Sequence, residues 1–101
     1  MLIHLYSTNI STVHLALNQP EEALRHLETA MELATEMGGL ALAETQRNRA
    51  RAFGQLGDTK QEYACLKEAS PLLDEAYGPD HPRSVAARQR LAELTQNNGS
   101  K

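Results

Sequence analysis

Two breaks, Leu56-Gly57-Asp58 and Tyr77-Gly78-Pro79-Asp80-His81-Pro82, constrain what this chain can fold into more than any other feature. Each has an amphipathic segment on both sides. Gly57 suits the left-handed residue just past a helix end. Asp58, followed three residues later by Gln61, has the pattern of a capping box that opens the next helix. Gly78-Pro79 then stops that helix, and Pro82 fits the first position of another, where its missing N–H costs nothing. The spacing predicts helix, tight turn, helix, short loop, helix.

Composition agrees with an all-helical chain. Alanine and leucine dominate and β-branched residues are few, which favours helix and leaves no segment we expect to be a strand. The aromatic residues are Tyr6, Phe53, Tyr63 and Tyr77 only. A chain of 101 residues has the size of one domain with a modest core.

The apolar periodicity predicts five helices. Helix one, about 2–17, places Ile3, Tyr6, Ile10, Val13 and Leu17 on its inner face. Helix two, about 20–37, starts at Pro20 with Glu21 and Glu22 at the positive helix end, and buries Ala23, Leu24, Leu27, Ala30, Met31, Ala34 and Met37. Gly38-Gly39 breaks it. Helix three, about 40–56, turns Ala43, Ala50, Phe53 and Leu56 inward. Helix four, about 59–77, does so with Tyr63, Leu66, Ala69, Leu73, Ala76 and Tyr77, and is expected to kink at Pro71 or to break there with Ser70 as a cap. Helix five runs from Pro82 through Val85, Ala86, Leu91 and Leu94, and residues 96–101 are expected to fray.

The plan repeats. Leu17-Asn18-Gln19-Pro20-Glu21-Glu22-Ala23 aligns with Leu56-Gly57-Asp58-Thr59-Lys60-Gln61-Glu62 at an offset of 39 residues, and Leu27 with Ala30 then answers Leu66 with Ala69. Two helices per repeat of about 40 residues describe a solenoid of helical hairpins. These residues resemble the tetratricopeptide repeat, in the longer variety found in kinesin light chains. The family's small residue of the first helix corresponds to Ser11, Ala50 and Ala92, its aromatic to Phe53, with His14 and Thr95 at the matching places. The stretch from Tyr77 to Pro82 is similar to that variety's Leu-Gly-Pro-Asp-His-Pro loop. Glu62 departs from the pattern where the family has alanine, and Arg49 where it has leucine, so the second repeat is expected to pack loosely.

The resemblance implies antiparallel hairpins stacked as a short right-handed solenoid: hairpins over 2–37 and 40–77, a capping helix over 82–95, and a tail over 96–101. It further implies a non-enzymatic protein–protein interaction module whose first helices line a concave groove.

Charge alternates along the chain. Residues 1–38 have one arginine against five acids, and residues 58–78 have two lysines against five acids. Residues 39–57 have three arginines against Glu44, and residues 79–101 have four basic residues against two acids. The helices expected to line the groove are therefore the basic ones. Arg47, Asn48, Arg51 and Arg90 are the expected contacts for a partner protein or peptide with an acidic segment. Asn48 and Arg90 also coincide with places where relatives clamp a peptide's terminal carboxylate. Thr8, Thr12 and Ala86 stand at the other clamp positions, so a complete clamp is not expected.

Other classes find no support. The net charge of −3 argues against nucleic acid as a partner, and no apolar run approaches the ~20 residues of a membrane helix. His4, His14, His26 and His81 lack metal-ligand spacing, and Cys65 has no neighbouring base to activate it, so neither a metal, a cofactor nor catalysis is expected. A single cysteine and an unbasic start (Met1 to Leu5) lead us to expect a cytoplasmic protein. Helix one opens without a capping residue, which suggests a piece of a longer chain. Two rival functions are self-association through Leu2, Leu5 and Ile10, and regulatory sensing of a short peptide.

Overall fold

The computed structural model describes the backbone over residues 2–99 and the side chains over residues 8–96. Five helices follow one another: α1 (Leu2–Ala16), α2 (Pro20–Met37), α3 (Gly39–Leu56), α4 (Thr59–Tyr77) and α5 (Pro82–Gly99). Each packs against the next, and α1 also touches α3. That is how stacked hairpins meet, with like helices of successive repeats side by side. The molecule measures 42 × 29 × 20 Å.

The turn inside each hairpin is built the same way twice. Gly57 has φ of 76° and closes α3: its N–H donates to the Gly54 carbonyl at 3.1 Å, and the Asp58 N–H donates to the Phe53 carbonyl at 2.9 Å. This pair of bonds is the Schellman motif. Asn18, 39 residues earlier, has φ of 58°, with its own N–H on Leu15 at 3.1 Å and that of Gln19 on His14 at 2.7 Å. Asparagine tolerates the left-handed region better than other residues with a Cβ. Asp58 Oδ1 accepts from the Gln61 N–H at 3.2 Å, which caps α4. The return half of the expected capping box would need the Asp58 N–H, which Phe53 already occupies.

α3 is the keel. Ala50 and Ala52, two residues apart, point to roughly opposite sides of a helix, and each belongs to a different core. One core gathers Leu15, Ala23, Leu27 and Ala52. The other gathers Ala43, Ala50, Cys65, Leu66, Ala69, Leu73, Ala87 and Leu94, with Phe53, Tyr63, Tyr77 and Leu91 against it. Enclosure on several sides also buries Thr45, Gln46 and Asn48 of α3. Gln46 is satisfied, donating to Glu68 at 3.0 Å and accepting from Arg49 at 2.9 Å.

Several inner faces differ from the sequence expectation. Val13 of α1 and Leu17, just past its end, are 56% and 62% exposed, while Ser11 and Leu15 are buried. α1 packs on α2 and α3 at once, so the face those neighbours cover overrides the apolar stripe. Leu56 and Met37, near helix ends, are exposed, and so is Ala76. Ile3 and Tyr6, together with His4 and the Leu2 and Leu5 of the expected self-association surface, lie outside the residues whose side chains are described.

α4 runs unbroken through Pro71, which faces solvent, and Ser70 is buried within the helix rather than capping a new one. α5 continues to Gly99, so residues 96–99, expected to fray, are helical; residues 100 and 101 lie outside the described part. No helix among the described residues is long and apolar enough to cross a membrane.

Candidate partner-binding groove

Arg47 and Arg51 stand one helical turn apart on α3, so both project from one face. Across from them, α5 presents Pro82, Arg83, Ala86, Ala87 and Arg90. Between the two helices, Glu62 and Leu66 of α4 with Ala50 of α3 complete a cavity of about 360 Å³. This lies near the lower end of the roughly 300–1,000 Å³ typical of ligand pockets. Its floor is apolar and its rim is cationic.

The four arginines are not equivalent. Arg90 holds the Glu62 carboxylate with two bonds, Nε to Oε2 at 2.7 Å and Nη2 to Oε1 at 3.0 Å, and its Nη1 donates to Glu93 at 3.0 Å. These hydrogen bonds, Glu62 first and Glu93 second, push the Arg90 pKa above the ordinary arginine value. Arg83 pairs with Glu44, donates to the Tyr77 hydroxyl at 3.0 Å, and lies over the Tyr77 ring. Arg47 reaches Glu44 through Nε alone, at 3.2 Å.

Arg51 has no ion-pair or hydrogen-bond partner among the described residues. Partial burial first, and the like charge of Arg47 second, draw its pKa below the ordinary value; an arginine so placed still carries its charge at neutral pH.

The loop leading into α5 is held from both ends. Tyr77 stacks on His81 with ring centroids 4.4 Å apart. From α5, Arg88 reaches back to Asp74 at 2.8 Å and to the Pro79 carbonyl at 2.6 Å. These contacts fix where Arg83 and Arg90 stand relative to α3.

Of the four residues expected to contact a partner, Arg47, Arg51 and Arg90 come together on this cavity. Asn48 does not: it is 2% exposed and lines no part of the cavity, and its Oδ1 has no hydrogen-bond partner among the described residues. Burial withdraws it from the surface a partner could touch. Sequence reasoning missed Arg83 and Glu62 as parts of the site. Glu62 had given a signal, as an acid where the repeat pattern has alanine. It is not left to loosen the packing, because Arg90 takes its carboxylate.

His14 and His26 stack on each other with centroids 5.5 Å apart, and His14 Nδ1 lies 2.7 Å from Gln19 Oε1. Among the described residues no group of three or more histidines, cysteines or acids could hold a metal ion.

The tetratricopeptide repeat model matches residues 2–73, most of the chain and both hairpins up to the last turn of α4. The chain belongs to the tetratricopeptide repeat family. Members of that family mediate protein–protein interactions and serve as non-enzymatic scaffolds. The match is to the tetratricopeptide repeat in general and does not single out the kinesin-light-chain variety, whose characteristic loop lies beyond residue 73 here. Neither the curated proteins nor the solved structures gave a match.

Proposed function

We propose that this tetratricopeptide repeat domain binds an acidic segment of a partner protein in the groove between α3 and α5, with Arg47 and Arg51 as its principal contacts. One observation carries this proposal: four arginines and a single acid, Glu62, ring an apolar floor, and Arg51 is left without a counter-charge among the described residues. A guanidinium in that state offers a planar fork of donors matched to a carboxylate. An acidic peptide would supply the missing charge, and its aliphatic side chains would cover the floor. Arg90 contributes less, being already committed to Glu62 and Glu93.

Calorimetric titration with an acidic decapeptide tests this. Exchanging both Arg47 and Arg51 for glutamate is expected to abolish the heat of binding, with helicity and melting temperature retained. Equal affinity of the wild type and the double variant would overturn the proposal.

A further inference from the structure

The charges around the cavity suggest how many anions it takes. Glu62 is the one acid in its lining, and its side chain is only 7% exposed. Its carboxylate comes from the α4 side and receives a two-pronged hydrogen bond from Arg90, as a partner's carboxylate would. It has room to do so because residue 54 on the facing helix is glycine, and a Cβ there would stand 3.1–3.4 Å from the carboxylate atoms. Arg83 is likewise engaged, by Glu44 and Tyr77. The cations left to an incoming ligand are Arg51 and the Nη groups of Arg47, which share one helix face. Beside them lies the floor of Ala50, Leu66, Ala86 and Ala87.

We infer that the cavity anchors a single acidic residue of the partner, next to an aliphatic one, and that Glu62 enforces this by occupying Arg90 as an internal stand-in for a second partner carboxylate. The carboxylate of the partner goes to Arg51 and Arg47, and the aliphatic side chain lies on the floor. Glu62 is thus a specificity-determining residue that never touches the partner's acid. This inference rests on the proposed groove-binding function and adds to it a count of charges and a residue that sets the count.

Two peptides separate the possibilities. One is a capped octapeptide of alanine and serine containing a leucine followed by one glutamate; the other carries a second glutamate four positions on. Blocked termini remove any further charge. For the wild type, the second glutamate is expected to change affinity less than twofold. In Glu62→Gln, which keeps the size and removes the charge, Arg90 loses its two-pronged partner and keeps only the exposed Glu93, so the second glutamate is expected to tighten binding about three- to fivefold, the gain of one partly exposed ion pair. The double variant Glu62→Gln/Arg90→Gln should behave like the wild type, which separates released charge from loosened packing.

An equal gain from the second glutamate in wild type and Glu62→Gln would overturn the inference while leaving groove binding intact. The same gain in the double variant would also overturn it. If neither peptide binds any of the three proteins, the groove reading falls and takes the inference with it.

Discussion

Gly54 of α3 lies directly against the carboxylate of Glu62 in α4: a Cβ added to the glycine would stand 3.1 Å from Glu62 Oε2 and 3.2 Å from its Cδ. The carboxylate cannot swing aside freely, because Arg90 holds both of its oxygens. In an open helix, Gly→Ala is worth about 0.5–1 kcal/mol of added stability. Here Gly54→Ala is expected to destabilise the wild type by about 1 kcal/mol, since the acid–arginine pair must shift. In a Glu62→Ala background the same change should regain the full helix benefit. Urea unfolding of the four proteins gives the coupling, expected at about 1.5–2 kcal/mol; additive effects would show that the contact is slack.

The left-handed residue at the first hairpin turn provides a second test. Asn18→Ala is expected to cost about 1 kcal/mol, since alanine has neither the local hydrogen bonding nor the steric freedom that admits asparagine there. Asn18→Gly should leave stability unchanged or raise it slightly, matching Gly57 in the second hairpin. Thermal melts of the two variants should therefore move apart.

The inner face of α1 can be checked by truncation. Leu15 is 2% exposed and belongs to the first core, whereas Leu17 projects into solvent. Leu15→Ala is expected to cost about 2–5 kcal/mol, and Leu17→Ala no more than about 0.5 kcal/mol. A reversed order would restore the stripe drawn from periodicity alone.

Cys65 predicts a pH dependence. Burial pushes its thiol pKa up; Arg49 opposes this and Glu68 adds to it. Below the ordinary thiol pKa of 9.0, folded and unfolded chains both keep the proton. Above it the unfolded chain loses the proton first, so stability falls as pH rises toward the elevated folded value. Between pH 8 and 10 the wild type should lose stability relative to Cys65→Ala, by no more than about 1.4 kcal/mol per pH unit. Denaturant titrations at each pH measure the difference, and a flat one would contradict the burial effect.

Much of the hairpin plan was legible because it depends on local chemistry. Pro20, Gly57, Asp58, Gly78 and Pro82 act through their own backbone geometry, so helix boundaries at those places follow from residue type alone. The grouping of Arg47, Arg51 and Arg90 was also accessible, since helical spacing and the repeat offset bring basic helices to one side. Asn48 could not be judged that way. Its neighbour in sequence faces the groove, and only the enclosure of α3 by surrounding helices buries it.

The sequence by itself determined the helices, their turns, the repeat and the excess of arginine on α3 and α5. Tertiary structure alone decided which arginines keep their charge uncompensated. Glu62 reaches Arg90, 28 residues away, and Arg83 reaches Glu44, 39 residues away, because the stacking of the hairpins and the last helix brings them together. Local rules fix backbone angles, whereas an ion pair depends on distance through space. Here that distance leaves Arg51 as the guanidinium with no partner among the described residues.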